Sequence, residues 1–297
     1  MFDSSVFRNN FASTKLLFDE PMSAHTTFKI GGPARLMLLP DCADDIVSAL
    51  EIAGMVGAPV LVIGGGSNLL VGDDGLDAVV IKLSKEFSRI ELEDTVITAQ
   101  AGVSLAKLAA FALSHELAGL EFAAGIPGSL GGAIYMNAGA YGEEMSGCVR
   151  SALILKDGAL TDYDNTRLAF AYRTSSVQAE AGLVLSAELS LCHGDQREIS
   201  AKMDELAMRR RDKQPLEYPS AGSTFKRPSG HFAGKLIEDS GLKGYAVGGA
   251  QISQKHSGFI INTGGATSKD VCELIKYVQD QVYKRFGVKL EPEVRIV

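Results

Sequence analysis

The chain is short of metal ligands in groups. Its four cysteines stand apart at positions 42, 148, 192 and 272, and none forms a CxxC pair or a Cys/His cluster. That scatter argues against a zinc site and gives no disulfide framework, so no metal is expected and a reducing cytosol fits. Positive charge is also scarce: 29 Lys and Arg against 36 Asp and Glu leave a formal net charge of −7. A general nucleic-acid binder would carry a basic face, although a local basic pocket for a small anion stays open. No stretch approaches the roughly 18 apolar residues of a membrane span. The first residues mix Asp3, Arg8 and Asn9 with apolar side chains and so lack a secretory h-region.

Glycine is not scarce, and it is concentrated. One run is Ile63-Gly64-Gly65-Gly66-Ser67-Asn68-Leu69-Leu70; a second is Ala124-Gly125-Ile126-Pro127-Gly128-Ser129-Leu130-Gly131-Gly132, continuing into Asn137-Ala138-Gly139. Without Cβ atoms, backbone N–H groups approach a ligand closely, and consecutive free N–H groups form an anion-binding concavity. Two such loops suit a long diphosphate ligand gripped from both sides. Pro127 fixes φ and offers no donor, which holds the second loop open for its neighbours. Three familiar patterns are missing. Leu69 stands where GxGxxG needs its third glycine. Gly230 to Lys235 is one residue short of a Walker A loop, and Leu236 replaces its hydroxyl. No GxSxG nucleophile elbow occurs.

Around these loops, residues 36–39 read as a strand closed by Pro40, with Asp41 capping a helix to about Met55. Residues 59–63 read as a strand that feeds the first glycine loop. Residues 79–83, 96–101, 151–155 and 183–191 read as further strands, and Ser104 opens a helix ending near Gly119. Residues 198–213 form a charged helix ending in Arg209-Arg210-Arg211, an arrangement the helix dipole favours. Thr267 or Ser268 starts a last helix, with Val271, Leu274, Ile275, Val278 and Val282 on one face and Gly287 at its end. In the closing segment Val288, Leu290, Val294 and Ile296 alternate with Lys289, Glu291, Glu293 and Arg295, as in a half-buried strand. Interleaved elements early and strands in the middle predict an α+β fold of several parts.

A set of motifs in fixed order gives a sharper expectation. These are Thr27-Phe28-Lys29-Ile30-Gly31-Gly32-Pro33-Ala34, both glycine loops, Tyr172-Arg173, Ala221-Gly222-Ser223-Thr224-Phe225-Lys226, Gly241-Leu242-Lys243-Gly244 and Glu291-Pro292-Glu293-Val294-Arg295. With them the chain resembles the UDP-N-acetylenolpyruvoylglucosamine reductases of bacterial peptidoglycan synthesis. Its early part resembles the FAD domains of vanillyl-alcohol-oxidase (PCMH) type. The resemblance implies FAD-binding subdomains at 1–85, joined by the C-terminal strand 288–297, and at 86–196. It adds an α+β substrate-binding domain at 197–287. It implies non-covalent FAD held by Ile63, Gly64, Gly65, Gly66, Ser67, Asn68, Leu69, Gly125, Ile126, Pro127, Gly128, Ser129, Gly132, Asn137 and Gly139.

It also implies a reaction. NADPH reduces FAD and leaves; UDP-N-acetylglucosamine enolpyruvate enters; flavin N5 gives hydride to the vinyl carbon, and the carbon bearing the carboxylate takes a proton to give UDP-N-acetylmuramate. Arg173 matches the cation on the substrate carboxylate, where a guanidinium makes two parallel hydrogen bonds. Ser223 matches the proton donor, a role open to a hydroxyl only when the receiving carbon is strongly basic. Glu293 matches a hydrogen-bonding acid beside the enolate, with Glu291 either a repelling neighbour or simply exposed. Arg227 and His256 sit where the family pattern places substrate contacts; Lys235 is a further candidate for the pyrophosphate and Tyr172 for the carboxylate end. Only a short stretch separates Arg173 from Ser223, as in a short form of the family that lacks a tyrosine-bearing loop and is monomeric. The sequence ends at Val297, which sets Glu293 near a terminus and lets it be loosely held.

Overall fold

The computed structural model describes residues 2–11 and 14–297. Contacts group the chain into two compact units. The first comprises residues 1–17, 36–65 and 78–210, and the second residues 18–35, 66–77 and 211–297.

In the first unit a five-stranded antiparallel sheet runs in the order Ala159–Asp164, Val149–Lys156, Leu183–Ser190, Val96–Gln100, Ile90–Glu93. Alternation along Val96–Gln100 buries Ile97 and Ala99 on one face, the period that pleating imposes. A second sheet has the order Lys15–Pro21, Pro33–Leu39, Leu76–Lys82, Val60–Ile63. Its strand Pro33–Leu39 is longer than the expected 36–39, and it buries Leu36, Met37 and Leu38 completely. Val60–Ile63 pairs in parallel with residues 79–82 and delivers the chain at its carboxyl end into the first glycine loop. Ligands of parallel sheets collect at such strand ends.

Two helix ends differ from the sequence reading. Ala43–Met55 has Cys42, not Asp41, at its N-cap, and no side chain caps it. The helix opened by Ser104, whose side chain accepts the Lys107 N–H, stops at Ser114 rather than near Gly119. Glu116 takes a left-handed φ of 57°, and Leu117–Ala118 then pair with Cys192–His193 as strands.

The second unit centres on a four-stranded antiparallel sheet in the order Ser220–Ser223, Phe259–Asn262, Ala250–Ile252, Ala246–Val247. The helix Ser268–Phe286 contributes Val271, Leu274, Ile275, Val278 and Val282 to the core beneath it. Thr267 and Asp270 close a reciprocal capping box, and Gly287 ends the helix at φ 68°. The Asp73 carboxylate takes the Ser268 and Lys269 amides at 2.8 and 3.1 Å. Those donors have no partner within a helix.

The closing segment is not one alternating strand. Leu290 and Val294 are buried, but Ile296 is 49 % exposed and regular pairing is confined to Arg295–Ile296 beside Leu69–Leu70. Pro292, which lacks an N–H to continue a ladder, interrupts it. The segment is nevertheless tied down. Arg295 N–H donates to Asn68 O, Val297 N–H to Leu70 O and Gly72 N–H to Val297 O, all within 3.0 Å. Among the described residues, no helix is long and apolar enough to cross a membrane.

Candidate active site

The two glycine loops meet each other. A Cβ on Gly64 would run into Ser129 Oγ, and a Cβ on Gly65 would stand 3.0 Å from Gly128 Cα. Glycine is required at these two positions by proximity: neither shows the left-handed φ that marks Gly66 (62°) and Gly128 (141°). A Cβ on Gly66 would also strike the His25 carbonyl. The second loop is seated on residues 101–105. Leu130 N–H donates to Val103 O at 2.8 Å, Gly131 N–H to Ala101 O at 2.9 Å, and Leu105 N–H to Gly128 O at 3.1 Å.

Sequence reasoning missed a cation at this loop. Arg210, in the last turn of the helix Gln196–Lys213, donates from its guanidinium to the Gly125 carbonyl. A Cβ on Gly125 would lie 3.3 Å from Arg210 Cδ. Burial draws the Arg210 pKa below its ordinary value. The neighbouring Arg209 stacks on Tyr141, with Cζ 4.7 Å from the ring centre. The three-arginine run signalled a helix end, but nothing in its spacing signalled these partners.

Asn137 and Gly139 shape the loop that follows. Asn137 is buried at a left-handed φ of 42°. Its Nδ2 donates to Ala171 O (3.2 Å) and its Oδ1 accepts the Ser146 N–H (3.0 Å), so both ends of the carboxamide have protein partners. Gly139 packs against Glu143 and Glu144, and its carbonyl accepts from Arg173 Nη1 at 3.4 Å. Ala171 and Thr174 exchange two backbone hydrogen bonds, which puts Tyr172 and Arg173 at the tip of a tight turn. Arg173 adopts φ 55°, a region costing an L-residue about 1–2 kcal/mol. Strain of this kind collects at functional sites. Tyr172 is 56 % exposed beside it.

In the second unit, the segment that follows Ser223 runs beside the segment that carries Glu293. Ser223 ends the strand Ser220–Ser223 after a bulge, with Gly222 at φ 77°. The next residue, Thr224, accepts the Glu293 N–H on its carbonyl at 2.8 Å, and Lys226 N–H donates to Glu291 O at 2.9 Å. Residues 224–226 therefore run alongside 291–293, with Phe225 bridged to Pro292. Asn68 Nδ2 adds a bond to the Glu293 carbonyl at 3.0 Å. Glu291 is exposed and pairs with Lys226 Nζ at 3.5 Å, so its charge has a counter-ion.

The expected substrate contacts lie nearby in sequence. Arg227 stacks on Phe232, Cζ 4.0 Å from the ring centre. Lys235 is exposed and ion-paired with Asp239, which raises its pKa. His256 Nδ1 accepts the Gly258 N–H at 3.1 Å, leaving Nε2 as the protonated donor; burial lowers its pKa and keeps the ring neutral. Among the described residues, Asp41, Cys42 and Asp45 gather within 4.8 Å of one another, and this group contains no histidine.

Comparison with known proteins decides the family. A model for the C-terminal domain of UDP-N-acetylenolpyruvoylglucosamine reductase matches residues 214–297. A model for an FAD binding domain matches residues 34–162. The UDP-N-acetylenolpyruvoylglucosamine reductase of Caldanaerobacter subterraneus subsp. tengcongensis is 51% identical, covering 95% of this chain and 94% of its own. The chain belongs to the UDP-N-acetylenolpyruvoylglucosamine reductase family. The reductase of Alkaliphilus oremlandii is 50% identical over 95% of this chain and 93% of its own. The crystal structure of the Thermus caldophilus reductase superimposes with a TM-score of 0.83 at 36% identity, covering 95% of this chain and 98% of that one. The fold is thus an FAD-binding domain of the PCMH type joined to the family's C-terminal domain.

The residues present fit FAD. The stretch matched by the FAD binding domain model, residues 34–162, contains both glycine loops, and Gly64 and Gly65 keep their backbones bare where they pack on Ser129 and Gly128. Bare backbone of this kind is what a diphosphate needs.

Proposed function

We propose that this family member carries out its reduction with Arg173, Ser223 and Glu293 as the acting residues and with FAD held on the two glycine loops. The enzyme is a UDP-N-acetylmuramate dehydrogenase of peptidoglycan-precursor synthesis that uses FAD and NADPH. The substrate in this reading is UDP-N-acetylglucosamine enolpyruvate and the product UDP-N-acetylmuramate.

Bound FAD, reduced by NADPH, supplies the hydride equivalent for the vinyl group. The chain's residues do the rest. Arg173 grips the substrate carboxylate with two parallel hydrogen bonds and offsets the negative charge that builds there during reduction. Ser223 gives its hydroxyl proton to the carbon bearing the carboxylate. A hydroxyl is a weak acid, and an enolate carbon is basic enough to take its proton. Glu293, in its protonated form, donates a hydrogen bond to the same developing charge. Ile63 to Leu69, Gly125 to Ser129, Gly132, Asn137 and Gly139 line the cofactor side, with Arg210 fixing the Gly125 carbonyl. Tyr172, Arg227, Lys235 and His256 face the nucleotide sugar.

The observation that supports this reading is the backbone bond from the Glu293 N–H to the Thr224 carbonyl, one residue from Ser223. The division into 1–85 with 288–297, 86–196 and 197–287, the short form without a tyrosine loop, a monomeric state and a cytosolic location belong to the same proposal. The test is direct. Purified protein should show yellow flavin absorbance and consume NADPH beyond one equivalent per flavin only when the enolpyruvyl nucleotide sugar is added. A colourless protein that gains no absorbance with FAD sinks the reading. A yellow protein indifferent to this substrate points to another oxidoreductase on the same fold.

A further inference from the structure

One aromatic side chain of the second unit has no structural explanation. Phe232 is 62 % exposed. It occupies the N-cap of the helix Ala233–Asp239 with extended backbone and no capping bond from its side chain. N-caps favour Ser, Thr, Asp or Asn, whose oxygens accept the orphan amides; a phenyl ring satisfies none. One face of the ring lies under the Arg227 guanidinium, 4.0 Å from its centre. With that face covered, exposure on this scale leaves the other face to solvent.

The surroundings are polar and cationic. The ring is preceded by Lys226, Arg227, Ser229 and His231. The exposed residues that lead up to the ring, Lys226, Arg227, Ser229 and His231, are polar or charged, unlike a protein-docking patch. His256 packs on the first turn of the helix, its Cε1 3.4 Å from where a Cβ on Gly234 would stand. Its Nδ1 is held by the Gly258 amide, and Nε2–H remains to donate. A flat apolar face, a guanidinium stacked on it and an imidazole N–H on the first turn of the same helix make a set suited to a heterocyclic base carried on a diphosphate. The loop also starts from the catalytic strand. Phe232 follows Ser223 by nine residues, at most about 30 Å of extended chain, and a turn closed by the His231 N–H to Pro228 O bond shortens that path.

We propose that Phe232 is the stacking platform for the uracil ring of the nucleotide-sugar substrate, with Arg227 layered on its opposite face. The inference rests on the nucleotide-sugar reading of the site and names the residue that distinguishes a uridine diphosphate from bare diphosphate. Base-on-aromatic stacking is sequence-tolerant and worth about 1–3 kcal/mol, or roughly five- to 150-fold in affinity.

The chain contains no tryptophan, so Phe232→Trp creates a single fluorescent reporter on the proposed platform. The FAD-loaded protein is titrated with UDP and, separately, with inorganic pyrophosphate. Calorimetry on the wild type and on Phe232→Ala runs alongside. UDP should quench the emission of the introduced indole and pyrophosphate should not. Phe232→Ala should bind UDP about tenfold or more weakly while its pyrophosphate affinity holds, and its flavin spectrum should match the wild type. A silent reporter, unchanged UDP affinity in Phe232→Ala, or equal losses for UDP and pyrophosphate would each overturn the platform, as would a wild type that does not bind UDP. Substrate-dependent NADPH oxidation by the wild type tests the enzyme reading separately, so failure of one is not mistaken for failure of the other.

Discussion

Gly64→Ala isolates the contact between the two glycine loops. Gly64 has no left-handed φ, so alanine costs nothing in backbone conformation there. Its methyl group, however, would collide with Ser129 Oγ and stand 3.0 Å from Ser129 Cβ. Ser129 is only 5 % exposed, but its hydroxyl can swing about χ1, which relieves the first contact and leaves the second. Overpacking at this level costs about 1–3 kcal/mol. A rotatable hydroxyl puts the expected cost near 1–2 kcal/mol, a roughly five- to 30-fold weaker grip on FAD. The measurement is titration of FAD into the apo-protein, followed by flavin fluorescence. A graded rescue is expected. Gly64→Ala with Ser129→Ala should recover part of the loss, and Gly64→Ala with Ser129→Gly, which clears both contacts, most of it. A conformational requirement for glycine predicts no rescue by any change at Ser129. Unchanged FAD affinity in the single variant, or no recovery in either double variant, would refute the argument from proximity. Gly66→Ala is the contrast: positive φ and a backbone carbonyl in the way predict a larger loss that Ser129 variants leave untouched.

Ser223→Ala should let NADPH bleach the flavin but fail to restore its colour when substrate is added; normal reoxidation in stopped flow removes Ser223 from proton donation. Arg173→Gly and Arg173→Ala should both lose turnover, yet the glycine variant should be the more stable by about 1 kcal/mol because glycine enters the left-handed region freely. Equal melting temperatures would show that Arg173 is not strained. Arg210→Met should weaken FAD binding about tenfold or more through loss of a charge-assisted bond to Gly125, with Arg210→Lys in between. Thr267→Ala should lower stability by about 1 kcal/mol in denaturant melts by opening the capping box. The Thr267 amide holds the Asp270 carboxyl below its ordinary pKa, so Asp270's contribution is in place above the ordinary carboxylate value and is lost as pH falls through the folded-state value. The Thr267 side chain also lowers this pKa and is lost in Thr267→Ala, so the difference between the two proteins should shrink in acid.

Local elements were legible where one stretch carries its own pattern. The helix Ser268–Phe286 announced itself by apolar spacing, a cap and a terminal glycine, and the strand Val60–Ile63 by an unbroken apolar run. The closing segment misled because alternation was visible while the effect of Pro292 on pairing depends on which strand lies alongside. The glycine loops were legible as loops. Their mutual contact was not, because Gly64 and Ser129 meet only through the fold. Asn137 was expected to hold FAD on the strength of its place after the second glycine loop, whereas the partners of its carboxamide, Ser146 and Ala171, come from other segments that its position does not announce. Arg210 was hidden for a related reason: a basic helix end is common, and only tertiary structure shows which of three arginines reaches Gly125.

Asn68 belongs to the first glycine loop, yet its side chain holds the carbonyl of Glu293 and its own carbonyl accepts the Arg295 N–H. Residues 66–70 of that loop and the segment bearing Glu293 are thus hydrogen-bonded together within the second unit. A ligand that steadies either segment should steady the other, and linkage requires the reverse to the same extent. A ligand docked against Glu293 should slow the escape of FAD, and the emptied protein should meet its substrate with a less settled acid. Asn68→Ala is therefore expected to loosen both segments at once, which faster amide hydrogen exchange at Glu293 and Arg295 would reveal.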